Sequence, residues 1–222
     1  MSETENHLDW SPFIISYEAN LRNLITGLEA EQRWKEKRHD WPQLSSENVF
    51  QHTFKGGMQA ILLLAIEFHL GNQHQLDPFV ILSCALRHDF GESDKSVGDK
   101  CLTDKTADDE AIEDEAFWKI RRRLVPEELW QFFRRPLDRT LDIDQIHRRF
   151  WQAVENIGYI MFALEEMKRP NEPKEFRRDL FVQICEERRP TLEEHAEMFI
   201  SIRIVAKALY HEIDTLMLED NF

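Results

Sequence analysis

The sequence predicts an all-α protein, and three observations lead to that prediction. The 222 residues include only seven glycines and eight prolines, against many leucines, alanines, glutamates, arginines and glutamines, which favour helix. Apolar residues recur every three or four positions in most segments, which is the spacing of one helix face. No segment has a convincing strand pattern. At this length one domain, with or without an extension, is expected.

Composition and charge narrow the classes of partner. Hydrophobic residues make up 42% of the chain, enough for a core, and the formal net charge is −14. Such a charge disfavours a nucleic-acid polymer or an anionic membrane as the main partner. A small phosphate ester remains compatible with it, because such a ligand needs only a local cationic pocket or a metal.

Three features favour a cytoplasmic location. The first residues, Met1–Asn6, are polar and acidic, unlike a signal peptide. No apolar run approaches the ~20 residues that span a bilayer. The cysteines Cys84, Cys101 and Cys185 form no C-x-x-C pair, so free thiols in a reducing compartment are expected.

The chain is expected to begin with a disordered tail over residues 1–10, followed by a single domain. A first helix is predicted from Ser11 to Trp34, because it has a Ser-Pro start and apolar residues at helical spacing. The stretch from Lys35 to Ser46 reads as a loop, since the residue before a proline, as in Trp41-Pro42, is biased away from helix.

The next two helices are strongly apolar. The second runs from Ser46 to Leu70 and is interrupted by Gly56-Gly57, where each glycine costs about 1 kcal/mol relative to alanine. Close approach of another backbone is the expected reason for that pair. The third helix starts at Asp77-Pro78 and is apolar on nearly every side, so a central, buried position is predicted.

A polar loop over residues 93–109 separates these helices from the rest. A capping box at Thr191, just after Pro190, predicts a helix start there. The remaining predicted helices are Glu110–Leu124, Pro126–Arg134, Gln145–Lys168, Glu175–Glu187 and a last helix from Thr191.

The strongest functional motif lies at the end of the third helix. His88 and Asp89 end that apolar helix, and Glu92 follows three residues after Asp89, on the same face. His52 lies 36 residues before His88 in the second apolar helix. Imidazoles and carboxylates are the usual ligands of divalent Mn, Fe, Co, Ni or Zn. The pattern therefore predicts a transition-metal site. Glu92 is placed to hold a metal-bound water, which loses a proton near neutral pH.

Each of these residues taken alone has a simpler explanation. A histidine in an amphipathic helix is more often a core or surface residue than a ligand, and an Asp-x-x-Glu pair near a helix end is usually solvated. The combination of a His-Asp pair ending one apolar helix with a histidine in a second apolar helix favours the metal site.

The constellation resembles the HD-domain superfamily of metal-dependent phosphohydrolases, and within it the 5′-deoxynucleotidase branch. The similarity covers roughly residues 34–168. The segments that carry it are Trp41-Pro42, Glu47–Thr53 (Glu-Asn-Val-x-x-His-Thr), Leu86–Glu92 (His-Asp-x-x-Glu) and Val97–Asp99 (Gly-Asp).

The resemblance implies an HD-domain helical bundle with additional C-terminal helices, the core spanning about 34–168 and the extension 169–222. It implies an enzyme that releases phosphate from nucleotides, above all 5′-(deoxy)nucleoside monophosphates, and it makes a homodimer plausible. The implied metal ligands are His52, His88, Asp89 and Glu155.

The remaining site residues follow from the same reading. Glu92 and Asp99 would orient or deprotonate the attacking water and protonate the leaving oxygen. Trp41 would shape the nucleoside pocket. The residues expected to meet the phosphate are Arg38, Arg87 and Lys95.

The chain departs from the family pattern at the fourth ligand. The family has an aspartate on a later helix, with an acidic pair ten residues on. Here Glu165-Glu166 stands ten residues after Glu155, so Glu155 takes that position. Asp142 and Asp144 are rival ligands.

It also departs near the substrate. The spacing from His88 to Asp99 is about two residues longer than in the branch, so Asp94 is the alternative to Asp99. Asp40 stands where the branch tends to have an arginine before the tryptophan, so substrate choice is open.

Two other functions stay open. One is cleavage of a nucleoside triphosphate or an alarmone, although Ser93 follows Glu92 where alarmone hydrolases would have an aspartate. The other is a non-catalytic HD-fold ligand sensor or interaction module, which the residues at Glu155 and Asp40 favour weakly.

Overall fold

The computed structural model describes residues 11–34, 47–71, 74–94, 97–99, 105–124, 144–169 and 174–219. Within those ranges the chain forms seven α-helices and a short 3-10 helix at Phe90–Ser93, and no β-strand. The all-α prediction is therefore confirmed. The helices are α1 (Ser11–Ala30), α2 (Val49–His69), α3 (Pro78–Arg87), α4 (Ala107–Leu124), α5 (Gln145–Met167), α6 (Lys174–Met198) and α7 (Ile200–Glu219).

Several predicted elements fall outside the described residues. They are the tail 1–10, the loop 35–46 and the helix Pro126–Arg134. Among the described elements, α1 ends at Ala30 rather than Trp34, and α4 begins at Ala107 rather than Glu110.

The predicted helix break at Pro190 is wrong. α6 runs through Pro190 as far as Met198, and α7 begins after Phe199. Thr191 therefore lies inside a helix instead of capping one. An interior proline loses one backbone hydrogen bond, but Leu192 just beyond it is fully buried in the core, and packing of this kind supplies most helix stability in proteins.

Local capping sets where α2 and α3 begin. The Asn48 side chain accepts the Gln51 N–H, and the Gln51 side chain accepts the Asn48 N–H, which forms a reciprocal capping box. The Asp77 carboxylate accepts the Phe79 N–H at 2.8 Å ahead of Pro78. These caps fix the start of the two helices that carry the His-Asp motif and its partner histidine.

The core is built around α5, which packs against α2, α3, α6 and α7. The apolar face of α7 is buried in the same core rather than left open. Its buried residues are Ile202, Ala206, Leu209 and Ile213. A smaller apolar cluster joins α1 to α4 through Leu24, Leu28 and Leu124.

The prediction that α3 is buried on nearly every side is wrong. Its Phe79 and Leu86 side chains are exposed, as are Phe54, Ile61 and Leu62 on the adjacent helix α2. Helical periodicity reports which residues share a face, but it does not report whether a neighbouring element covers that face. None of the described helices combines the length and the apolar character needed to cross a membrane.

The glycine pair in α2 has an explanation that differs from the expected one. A Cβ built on Gly56 would meet the Trp151 side chain at 3.8 Å, and one on Gly57 would meet Leu86 Cδ2 at 3.8 Å. Both are ordinary van der Waals contacts with side chains, so the expected close approach of a backbone is wrong. At Gly91 another backbone does come that close, because a Cβ built on it would lie 2.7 Å from the Glu113 carbonyl oxygen.

This difference gives opposite expectations for two alanine substitutions. Gly91→Ala is expected to destabilise the protein by about 1–3 kcal/mol, because α4 must move away. Gly57→Ala is expected to stabilise it by up to about 1 kcal/mol, because alanine favours helix and the space is free. Urea unfolding of both variants checks this, and a neutral Gly91→Ala would contradict the close contact.

Candidate metal centre

The structure brings together the two histidines and the aspartate of the predicted site. His52 lies on α2, and His88 and Asp89 lie where α3 ends. One potential ligand atom from each of the three side chains lies within 4.8 Å of those of the other two. The two imidazole rings are 5.7 Å apart between centroids and are nearly perpendicular.

The end of α3 explains how adjacent residues can serve one site. In a continuous helix, side chains at neighbouring positions diverge by about 100°. Asp89 instead leaves the helix, with φ −100° and ψ 9°, and precedes the 3-10 turn. Its Oδ2 atom therefore reaches to 3.0 Å from His88 Nε2.

The orientation of the His88 ring suits a metal ligand. His88 Nδ1 lies 2.9 Å from the Ala85 carbonyl oxygen, which can only accept, so Nδ1 carries the hydrogen. Nε2 is then the nitrogen that faces Asp89 and can bind a cation once it loses its proton, and a backbone carbonyl commonly fixes a ligating histidine in this way. Trp151 packs edge-on against the same ring at 4.9 Å.

The Thr53 side chain holds the Asp89 carboxylate in position. Its hydroxyl lies 2.9 Å from Asp89 Oδ2 and 2.9 Å from the Val49 carbonyl oxygen. The side chain is buried, and one hydrogen must serve these two acceptors. Thr53 therefore positions the carboxylate without lying among the three candidate ligands.

Thr53→Val is expected to lower the affinity for a divalent metal about 10- to 100-fold, the usual effect of losing a residue that orients a ligand. Valine keeps the shape but removes the hydroxyl. Titration with Mn²⁺ or Co²⁺ measures the effect, and Thr53→Ser should bind as the wild type does. Equal affinity in Thr53→Val would show that the hydroxyl plays no supporting part.

The protonation of His88 and that of Asp89 depend on each other. Burial alone would lower the pKa of His88, but the Asp89 carboxylate raises it. Burial alone would raise the pKa of Asp89, but His88, the Thr53 hydroxyl and Arg33 hold it below its usual value. Both shifts favour a protonated His88 beside an ionised Asp89 in the metal-free protein, so a cation that binds there has to displace a proton.

The three residues open onto a cavity of about 350 Å³, a size typical of small-molecule sites. Its charged lining is predominantly acidic. The carboxylates are Asp89, Glu92, Asp99, Glu110, Glu113 and Glu155, and the cations are Arg33, Lys105 and Arg188. An excess of carboxylates around one cavity favours a bound cation.

Glu92 and Asp99, the two predicted catalytic residues, both line this cavity and are buried. Burial, reinforced by the charges of Asp89, Asp99 and Glu113, raises the pKa of Glu92 well above its ordinary value. Burial raises the pKa of Asp99 to about 6 although Arg33 opposes the shift. Asp99 can therefore gain or lose a proton close to neutral pH, and Glu92 keeps its proton to a higher pH than an ordinary glutamate does.

The raised pKa of Asp99 makes the stability of the metal-free protein depend on pH. The folded state binds more protons than the unfolded chain between about pH 4 and 6. The stabilisation is therefore present below pH 4 and is lost as the pH rises through 6.

Asp99→Asn removes this titration. Relative to the wild type, we expect its free energy of unfolding to gain on the order of 3 kcal/mol between pH 4 and pH 7. Denaturant unfolding at several pH values in the presence of a chelator measures the difference. Parallel pH curves for the two proteins would contradict it.

The segment after α1 forms one wall of the cavity. Trp34 has φ +52°, which is uncommon for a bulky residue, and its N–H donates to Asp99 Oδ2 at 2.9 Å. The Arg33 guanidinium lies 5.0 Å from the Trp34 ring and 5.2 Å from the Tyr159 ring. Backbone bonds from Arg33 N–H to Glu47 and from Val49 N–H to Glu31 hold the segment against the start of α2.

The other candidate ligands lie at different distances from the site. Glu155 lines the cavity but falls outside the group of three whose ligand atoms lie within 4.8 Å of one another. Asp144 is exposed and accepts from the backbone and the ring of His147, capping α5. Asp142 lies outside the described residues.

The predicted substrate residues are only partly described. Trp41, Arg38 and Lys95 lie outside the described residues. Arg87 is buried, with its guanidinium 4.0 Å from Cys84 Sγ, and it is not among the residues lining this cavity. Asp94, the alternative to Asp99, instead lines a separate small pocket beside α1 and α4.

Sequence reasoning missed several residues of the cavity. Arg33 and Trp34 place a cation beside an aromatic residue just after α1, and that dipeptide was a usable signal. Lys105 falls in a predicted loop, and Arg188 falls beside the proline taken as a helix end, so neither had a local signal.

Comparison with known proteins adds nothing to the geometry of the fold or of the site. No protein-family model, no curated protein and no solved structure matches the chain.

Proposed function

We propose that the protein is a divalent-metal-dependent phosphohydrolase that releases phosphate from nucleotides, with 5′-(deoxy)nucleoside monophosphates as the favoured substrates. One observation carries the proposal: His52, His88 and Asp89 converge beside two buried carboxyls with raised pKa values. The HD-domain resemblance of the same residues supports the substrate class.

The donor set fits a transition metal. Two imidazole nitrogens and one carboxylate oxygen suit Mn, Co, Fe, Ni or Zn, and the Ala85 carbonyl fixes the His88 ring so that Nε2 is the nitrogen available to a metal once its proton is lost. Glu155 remains our proposed fourth ligand. A bound cation would supply a Lewis acid for a phosphoryl oxygen and a more acidic water.

In this proposal Glu92 and Asp99 carry out different proton transfers. Glu92, whose pKa burial raises well above its usual value, is the group that donates a proton to the leaving oxygen. Asp99, with a pKa of about 6, is ionised in a large fraction of molecules and accepts a proton from the attacking water. General acid and base groups of this kind typically contribute 10²- to 10⁴-fold each.

The walls of the cavity suit a nucleotide. Arg33 and Lys105 line it and offset the charge of a phosphate. Trp34 and Tyr159, whose rings are stacked with centroids 6.0 Å apart, offer an aromatic surface for a nucleoside. Trp41 and Arg38, which the family resemblance implies at the substrate, lie outside the described residues and stay part of this proposal, and Arg33 and Trp34 are further candidates for the same contacts.

A phosphate-release screen tests the proposal. The metal-free protein is loaded separately with Mn²⁺, Co²⁺, Ni²⁺ or Zn²⁺ and offered nucleoside mono-, di- and triphosphates. We expect metal-stimulated release from monophosphates. Release only from triphosphates or alarmones would favour the second enzymatic function, and neither stoichiometric metal nor turnover would favour a ligand sensor.

Two further expectations accompany this proposal. The family resemblance makes a homodimer plausible, and cysteine usage implies a cytoplasmic location. The described cysteines Cys84 and Cys185 are free thiols, which is the state expected for them. Sedimentation velocity would test the dimer.

A further inference from the structure

Two residues of the C-terminal extension line the cavity. Arg188 and Thr191 lie three positions apart on α6 and so share a helix face, and both face the cavity. The Arg188 side chain is 17% exposed, and its guanidinium lies 4.7 Å from the centre of the Tyr159 ring. The continuation of α6 through Pro190 places both residues there.

Three cationic side chains are among the described residues that line the cavity, and they differ in how closely carboxylates already pair with them. Lys105 forms an ion pair with Glu113. Arg33 lies 4.0 Å from Glu47 and is packed against three aromatic rings. Within the described residues, Arg188 has one carboxylate within 4.0 Å, that of its chain neighbour Glu187 at 3.9 Å.

Arg188 and the candidate ligand His52 both lie close to the ring of Tyr159. The Tyr159 ring lies 6.4 Å from the His52 ring and 4.7 Å from the Arg188 guanidinium. A ligand in the cavity can therefore contact the metal-binding end and the α6 wall together. A planar guanidinium donates two parallel hydrogen bonds to a phosphate or carboxylate, which ammonium groups cannot do.

We propose that Arg188 is a substrate-binding residue that donates to the phosphate of the bound ligand, so that the C-terminal extension completes the site. This inference rests on the proposed function for its substrate class. Arg188 is not a metal ligand, so its replacement should weaken substrate binding while leaving metal content unchanged.

The experiment uses the full chain with Arg188→Ala, Arg188→Lys and a matched neighbour, Arg189→Ala. Arg189 is exposed, pairs with Glu193 at 3.0 Å and lies over Tyr210, away from the cavity. Binding of inorganic phosphate to the Mn²⁺-loaded protein is measured by calorimetry, and kcat and KM are measured with a nucleoside monophosphate. Metal content and circular dichroism are compared for all proteins.

We expect Arg188→Ala to weaken phosphate binding and raise KM by about 10- to 100-fold, the range for one lost charged hydrogen bond, with a much smaller change in kcat. Arg188→Lys should recover part of the affinity, because it keeps the charge but not the planar fork. Arg189→Ala should behave as the wild type. If Arg188→Ala fails to fold, the Lys variant alone must still show weakened phosphate binding.

The two proposals fail in different ways. Unchanged phosphate binding in the Arg188 variants, or no phosphate binding by the wild type, would overturn the assignment of Arg188 even if hydrolysis occurs. Phosphate binding that depends on Arg188, in a protein that hydrolyses no ester, would support the anion site and contradict the hydrolase.

Discussion

Replacing His88 or Asp89 with alanine is expected to remove stoichiometric metal and to reduce phosphate release to that of the metal-free protein. Each change deletes one of three donors that lie within 4.8 Å of one another. Too few donors then remain for the four-coordinate or higher site that transition metals occupy in proteins.

Elemental analysis and phosphate release measure the two effects together. His69→Ala is the control, because His69 also lies on α2 but is exposed at its end. Full activity in either ligand variant would refute the assignment of the metal centre.

Glu92→Gln is expected to lower kcat by about 10²- to 10⁴-fold while metal content stays at the wild-type value. Glutamine keeps the shape of the side chain but cannot donate or accept the transferred proton. The metal-free variant should also be at least as stable as the wild type at neutral pH, since burial raises the pKa of Glu92 and its charged form is therefore unfavourable.

The stability measurement separates a catalytic loss from misfolding. Glu115→Gln on the exposed side of α4 serves as the control, because Glu115 is exposed and pairs with Lys119 on the same helix. A Glu92→Gln enzyme with near wild-type kcat would exclude Glu92 as the general acid.

The sequence was sufficient to predict the features that depend on local spacing. Most of the helices follow from apolar periodicity, and His88, Asp89 and Glu92 follow from the end of one apolar helix. The pairing of His52 with that motif follows from its place in the other strongly apolar helix, 36 residues before His88, whereas the distance between the two helices is seen only in the folded chain.

Features that depend on distant contacts could not be predicted in this way. Trp34 enters the cavity with positive φ because its N–H reaches Asp99, 65 residues away. No local preference of a tryptophan indicates that conformation. The wall formed by Arg33 and Trp34 therefore appears only in the folded chain.

The helix α6 shows how a local rule is overridden. A proline inside a helix costs about 3 kcal/mol, which justified a predicted end at Pro190. Phe181, Ile184 and Leu192 on the two sides of it are all buried, and each such burial contributes about 1.5–3 kcal/mol. Their sum exceeds the local penalty, so the helix continues.

The contact between Gly27 and Ser93 indicates which shorter expression fragments would keep the surroundings of the site. A Cβ on Gly27 would lie 2.7 Å from the Ser93 carbonyl oxygen, so α1 rests directly on the 3-10 turn that carries Glu92. The span of family resemblance, about residues 34–168, begins after α1 and stops before α6. An expression fragment trimmed to those motifs would keep His52, His88 and Asp89 but lose the helix that packs behind Glu92 and the helix that carries Arg188. A fragment made to test metal binding or hydrolysis therefore has to include both α1 and α6.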